Sequence, residues 1–255
     1  MCRISCTNTS FGMNHWLATF FNSIFTAFSY GELLLFTTLY FAFLYFGLGW
    51  LFWKTCRLLQ QRGWAEKINE RPYTREQLRF ELRQSLYSIL IFGFSAWPLK
   101  FLINLNIIQL REITLLNTLW GLLVLTLWNE IHFYLIHRLL HLPYFMKHVH
   151  RVHHQSVVPS VFSVYSFHPV EAALLSSVLL VIAPFYNFSA AALMLFPTVS
   201  ILINFSGHSN YRLILKTRPR WLLFATKHND HHGKAGHKFG FLTNFMDDLF
   251  TKTKK

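Results

Sequence analysis

Charge is what this chain has least of. Asp, Glu, Lys and Arg make up 14% of its residues, and only 11 of 255 are acids. A soluble domain carries roughly a quarter charged residues, so this chain has too little charge to coat a water-facing surface. Cysteine is scarce too. Cys2, Cys6 and Cys56 form neither a disulfide framework nor a thiolate metal motif, which argues against iron–sulfur chemistry within the chain. The start has one Arg and no apolar run closing on small residues, so a cleavable signal peptide is not expected. Internal repeats, low-complexity tracts and flexible linkers are missing, and no segment indicates a stable oligomer.

What is present in their place is grease. Hydrophobic residues make up 53%, with 27 Phe and 8 Trp, a composition suited to lipid contact and interfacial aromatic belts. The formal charge is +13. Lys and Arg in the loops of a membrane protein set its orientation and meet anionic headgroups. No recognition motif accompanies the charge, so a nucleic-acid partner is not expected.

The apolar runs give the topology. Leu33–Trp53 holds 21 uncharged residues, enough for a helix to cross a hydrocarbon core of about 30 Å. A basic stretch from Lys54 to Arg83 follows and places that loop in the cytoplasm. Gln84–Leu99 is a second run, with Pro98 near its end and an interfacial continuation over Phe101–Leu110. Ile113–Asn129 is a third, and its helix is expected to continue past Glu130. Ala172–Gly207 is 36 residues without charge, interrupted by Pro184 and Asn187. It reads as a tight hairpin of two helices, each about 18 residues and about 27 Å long. The expected fold is an all-α integral membrane protein with about four transmembrane helices in two hairpins. Residues 1–128 supply the N-terminal segment, membrane helices and basic loop. Residues 129–255 form a second, histidine-rich region, including the hairpin at about 172–207.

On this topology every dense histidine group falls on the cytoplasmic face, although no histidine was used to build it. The stretch HRLLHLPYFMKHVHRVHH places six histidines between His137 and His154. His137 and His141 are four apart. His150, His153 and His154 form an HxxHH group, and His228, His231 and His232 form another. Positions i, i+3 and i+4 share a helix face, so each group should present two or three imidazoles together. Neutral imidazole is the commonest side-chain metal ligand. One zinc-type ion takes about four ligands, so eight or more histidines indicate two ions. Imidazole suits zinc, copper, iron and nickel alike, and the ligand type leaves the metal open. The nearby carboxylates are Glu130, Glu171, Asp230, Asp247 and Asp248, without the Glu-x-x-His spacing of carboxylate-bridged bundles. The site should be histidine-dominated. His132 lies some 140° round the helix from His137 and reads as a packing residue; His148 is expected to point elsewhere.

HRLLH, HRVHH and HNDHH together resemble the sterol desaturase / fatty acid hydroxylase superfamily of membrane di-iron enzymes. NEIHFYLIHRLLH is similar to that family's acidic-x3-Tyr-x2-His-Arg lead-in, with Glu130 and Tyr134 at the matching places. SFHPVE, with His168 and Glu171, resembles a His-Pro-x-Glu element. GHSN supplies the isolated His208, and HKFGFLTNFMDDLF resembles the closing segment. Met246 stands where the family usually has Trp and Lys238 where Asn is common. The acid of the last group, Asp230, precedes His231 rather than following His228. The resemblance implies a cytoplasmic helical cap with two iron ions, molecular oxygen as co-substrate, a lipid substrate such as a sterol or fatty acyl chain, and electrons from a separate reductase. It implies His137, His141, His150, His153, His154, His208, His228, His231 and His232 as ligands, with His168 held apart as a possible tenth. Asp230, Glu171 and Glu130 are the acids expected to orient ligands, since metal-bound imidazoles usually donate their other N–H to a carboxylate or carbonyl. The competing reading is a non-enzymatic membrane protein that binds or moves zinc or copper. A transporter would place ionisable residues at mid-membrane depth, whereas here they stand at the ends of the spans.

Overall fold

The computed structural model describes residues 10–214, 224–234, 239–243 and 245–250. It is helical throughout, apart from a three-residue ladder of β1 (Ala65–Lys67) with β2 (Tyr211–Leu213). After α1 (Ser10–Thr26) come three long apolar helices, α2 (Tyr30–Gln61), α3 (Arg75–Asn104) and α4 (Leu115–Leu140). A helical segment at residues 143–154 then leads to α5 (Pro169–Ile182), α6 (Ala190–His208), α7 (Phe224–Lys234) and α8 (Phe245–Phe250). Helices α2, α3, α4 and α6 are each long and apolar enough to cross a membrane. Their outer faces carry bare side chains such as Leu115, Leu116 and Leu127, exposed by 77%, 76% and 60%. A water-soluble monomer rarely tolerates so much contiguous apolar surface, and lipid is the solvent that suits it. The chain is a multi-pass membrane protein.

Local signals set the helix starts. Ser29 and Glu32 form a reciprocal capping box at α2. Thr74, Thr114 and Ser189 accept backbone N–H bonds from Gln77, Asn117 and Ala192 at α3, α4 and α6. Each satisfies a donor that a helix leaves unpaired at its N-terminus. Helices in lipid associate through close packing and interhelical hydrogen bonds, and both occur here. A methyl group on Gly121 would lie 2.8 Å from the Ala192 side chain, and one on Gly93 would overlap Thr38. Thr37 donates to the Gly93 carbonyl at 2.8 Å, and Tyr40 donates to that of Met194 at 2.7 Å.

Three sequence expectations need adjusting. The second span begins nine residues earlier than its apolar run, because α3 opens on the charged turns REQLRFELR. It turns at Ser95 and continues through Pro98 to Asn104, shortening the expected interfacial segment. The hairpin is also unequal. Its second arm, α6, has 19 residues, but α5 has 14 and breaks at Ser177. At about 1.5 Å per residue α5 reaches roughly 21 Å, short of a full crossing. Pro184 and Asn187 lie in the connecting turn, as expected. Finally α1 was not foreseen. Its end is held by the buried Lys100, which donates to the Phe25 carbonyl at 2.7 Å, where a helix C-terminus favours a cation.

Candidate metal centre

All the histidines of the three dense groups lie at one end of the bundle. Helix α4 extends past its apolar stretch to carry His137, and His141 caps it. The chain reverses at Leu142 and Pro143, where proline's fixed φ suits the first helical position. Residues Met146–His150 form a π turn before the α-helical turn Arg151–His154. His208 ends α6, and α7 carries the last three.

The nine form two groups. Ligand nitrogens of His137, His141, His150, His154 and His231 lie within 4.8 Å of one another, and so do those of His153, His208, His228 and His232. Each HxxHH motif is therefore split, contrary to the expectation that it presents its imidazoles together. His150 and His154 join the first group and His153 the second; His228 and His232 join the second and His231 the first. Helical geometry permits this, because i+4 lies about 40° from i on one side and i+3 about 60° on the other.

Within the groups the ring nitrogens face one another. The Nε2 atoms of His141 and His231 are 3.1 Å apart, those of His150 and His154 3.2 Å, and those of His153 and His208 3.3 Å. His228 Nε2 lies 3.0 Å from His208 and 3.2 Å from His232. The opposite edges of three rings have acceptors. His137 Nδ1 donates to the Phe239 carbonyl at 3.1 Å, His208 Nδ1 to that of Asn204 at 3.0 Å, and His150 Nδ1 to Glu171 Oε1 at 2.9 Å. These bonds fix the proton on Nδ1 and leave the Nε2 lone pairs of His150 and His208 aimed at neighbouring imidazoles. Converging lone pairs need a cation. Nitrogens about 2.1 Å from a shared metal stand roughly 3.0–3.4 Å from one another, which matches the observed spacing. Both groups are able to hold metal ions. Burial, then the neighbouring imidazoles, lowers the pKa of His150, His153, His228 and His232 well below the usual histidine value, and that of His154 to about 3. The rings stay neutral and ready to ligate.

The predicted acids divide. Glu171 is buried and touches His150 directly. Glu130 acts at a distance: its carboxylate accepts the backbone N–H groups of Leu242 (2.8 Å) and Thr243 (3.1 Å) and the Thr243 hydroxyl (2.9 Å). Asp247 accepts from Phe239 N at 2.8 Å and Gly240 N at 3.1 Å. Together they clamp the 239–243 strip that presents the Phe239 carbonyl to His137. Asp230 is exposed and makes no described contact with a histidine. His168 lies outside both groups and caps α5, its Nδ1 accepting from Val170 N at 3.2 Å. His132 bonds Ser177 Oγ at 3.1 Å, and His148 is exposed beside Tyr144, as the spacing indicated. Lys238 lies outside the described residues. Sequence reasoning missed the clamp by Asp247, although MDDLF had been singled out, and it missed Asn210. That residue has φ 59°, a left-handed conformation that asparagine adopts more readily than most. Its amide accepts from Asn69 N and Asn229 Nδ2 and donates to the Asn69 carbonyl.

Between the membrane helices and the histidines lies an apolar cavity of about 100 Å³, lined by residues such as Phe41, Phe92, Val164 and Phe196. It shares Phe133, Phe167, Leu175 and Asn204 with a smaller space walled by His137, His150, His153, His208 and His228.

Fold and site together define a multi-pass helical membrane protein with paired histidine-built metal sites at one end of its bundle. The fatty acid hydroxylase family model matches residues 122–252, and the chain belongs to that family. It is 30% identical over 145 residues to human fatty acid hydroxylase domain-containing protein 2, covering 53% of this chain and 41% of that protein. It is 26% identical over 196 residues to the Delta(7)-sterol 5(6)-desaturase of Eremothecium gossypii, covering 71% of this chain and 53% of the relative. The corresponding desaturase of Gibberella zeae is 29% identical over 109 residues, 39% of this chain and 32% of that one. The chain thus spans about half or less of the length of these relatives. No solved structure matches it.

Proposed function

We propose that the chain is a di-iron lipid oxygenase that hydroxylates or desaturates a sterol or fatty acyl chain with molecular oxygen and electrons from a separate reductase. The observation that carries this reading is the apolar cavity among the membrane helices, which shares Phe133, Phe167, Leu175 and Asn204 with a smaller space bordered by both histidine groups. A lipid entering sideways from the bilayer would leave its polar end outside and bring a C–H bond to the site.

In this reading the nine grouped histidines are the ligands. His137, His141, His150, His154 and His231 hold one iron, and His153, His208, His228 and His232 the other. Bound iron would supply oxygen reduction and the oxidation of an unactivated C–H bond. The protein's own residues do the positioning. Glu171 keeps His150 in the tautomer whose Nε2 ligates, and the Asn204 carbonyl does the same for His208. Glu130 and Asp247 hold the strip that orients His137. Phe133, Phe167 and Leu175 exclude water where cavity and histidines meet. Residues 129–255 form the catalytic region and 1–128 the membrane platform, with the histidine end in the cytoplasm, as the distribution of Lys and Arg implies.

A zinc or copper carrier is the second reading. Against it stands the placement of both groups at helix ends, beside an apolar cavity rather than a polar path. Metal analysis of detergent-purified chain, expressed without added zinc, separates the two. About two irons per chain, lost together in His150→Ala/His154→Ala, supports the oxygenase; one zinc unaffected by that change would sink it. Lipidomics of cells with and without the chain should then find a lipid that gains oxygen or a double bond.

A further inference from the structure

A second recess, of about 250 Å³, opens at the histidine end of the bundle, apart from the cavity described above. Its walls include Trp53, Arg57, Lys67, Arg71, Tyr73 and Tyr211. Three cations line it and no carboxylate does. Among the described residues, Arg57, Lys67 and Arg71 have no ion-pair partner. The strand register explains how the charges are sorted. Glu66 and Arg212 are cross-strand partners, and Arg212 Nε lies 2.7 Å from Glu66 Oε1. Alternation along a strand turns the next pair, Lys67 and Tyr211, to the opposite face, and that face lines the recess. The ladder's acid is thus held on the side where Arg212 neutralises it.

The recess also sits at a definite depth. It adjoins the end of α2, where the apolar run gives way to a tryptophan–cation belt. Arg57 lies 5.0 Å from the Trp53 ring centre, Lys54 5.5 Å from that of Trp50, and Arg62 5.7 Å from that of Trp64. Tryptophan of this kind marks the level of lipid headgroups. Unpaired guanidinium groups, an ammonium and two phenols around a headgroup-deep hollow suit a phosphate: arginine's planar fork matches its oxygens, and charge-assisted bonds there are short and strong.

We infer that the Arg57–Lys67–Arg71 recess is a binding site for a phosphate group, and that its source is the headgroup of an anionic phospholipid. The floor of the site joins it to the histidines. Ser209, Asn210 and Tyr211 line the recess and directly follow His208. Asn210 bonds both Asn69, in the loop between Lys67 and Arg71, and Asn229, the neighbour of His228. A phosphate that draws the loop inward therefore braces the turn after His208 and, through Asn229, the helix that carries His228.

The test is direct binding of short-chain phosphatidic acid to the full chain in detergent, with phosphatidylcholine of equal chain length as the uncharged reference. Saturable binding is expected, weakened at least tenfold by Arg57→Gln/Arg71→Gln and several-fold by Lys67→Gln. Arg79→Gln, an exposed cation that does not line the recess, should leave it within twofold. An unchanged helical circular-dichroism spectrum and a monodisperse elution in detergent verify that the variants fold. Inorganic phosphate is the second probe: if it binds the same residues as tightly as the lipid, the site stands but its source is soluble. Lipid binding unchanged in the double variant, or no saturable binding of either probe, overturns the proposal. Iron and oxidation play no part in this measurement, so its failure would leave the oxygenase reading untouched.

Discussion

His141 and His154 leave the five-histidine group partly open to solvent, whereas every member of the four-histidine group is buried. The support differs as well. The open group takes its outer hydrogen bonds from remote parts of the chain, Phe239 at the closing strip and Glu171 on α5. In the buried group, His208 is held by a local acceptor, the Asn204 carbonyl one turn away. Among the described residues, the Nδ1 atoms of His153 and His232 have no hydrogen-bond partner. His137 and His150 are thus positioned by long-range hydrogen bonds, and His153 and His232 chiefly by packing. An open site needs acids and carbonyls to hold its rings in place; a buried one is held by the side chains around it.

The sharpest way to break this contrast is to remove ligands. His228→Ala/His232→Ala takes two of four imidazoles from the buried group and one helix's anchoring from the other. Activity should fall more than 100-fold and both bound ions should be lost together, read by elemental analysis alongside turnover. The same losses from His228→Ala alone as from the pair would mean the group acts as a unit. Glu171→Gln should come next, lowering metal affinity or turnover by roughly 10–100-fold, and the spectroscopic change should centre on the ion of the open group. An equal change in the spectrum of the buried group's ion would deny the difference in support. Asp247→Asn and Glu130→Gln loosen a strip rather than a ligand, and about tenfold weaker metal binding is expected of each.

Acid provides a subtler probe. Burial lowers the folded-state pKa of His150, His153, His154, His228 and His232 below the unfolded value near 6.5. Below that pH the unfolded chain binds protons that the native chain refuses, so native stability is present above about 6.5 and drains away as pH falls. The Tm of metal-free chain should drop between pH 7.5 and 5.5, less so in a His153→Gln/His232→Gln variant. A flat profile would mean the rings take up protons as readily in the fold as in the unfolded chain. The smallest effect belongs to His148→Ala. That ring is exposed and outside both groups, and metal content and turnover should stay within twofold.

Much of this arrangement was legible in the sequence, for physical reasons. Eight of the nine histidines stood out because helical spacing and ligand chemistry constrain the same few positions; the isolated His208 was legible only through the family resemblance of GHSN. The spans stood out because lipid tolerates no charge over some twenty residues. What stayed hidden depends on neighbours rather than on spacing. Whether His153 sides with His150 or with His208 is decided by which helix packs across it. Asp230 looked like an orienting acid because it adjoins His231, yet helical rotation turns it to solvent. Asp247 reaches backbone N–H groups eight and seven residues upstream, a contact that no motif announces. The short first arm of the hairpin was hidden because Ser177 can be accommodated within an apolar helix and gives no sign of the break.

The division of each HxxHH motif between the two groups has a thermodynamic meaning. Helix α7 gives two rings to one group and one to the other, and residues 150–154 return the exchange in the opposite sense. Neither group can be completed without fixing the backbone that carries part of its counterpart. Ordering work done at one group is therefore done for both. Linkage then requires that filling either one raises the affinity of the other by the same factor. The chain should pass from empty to doubly loaded with little of the singly loaded form between.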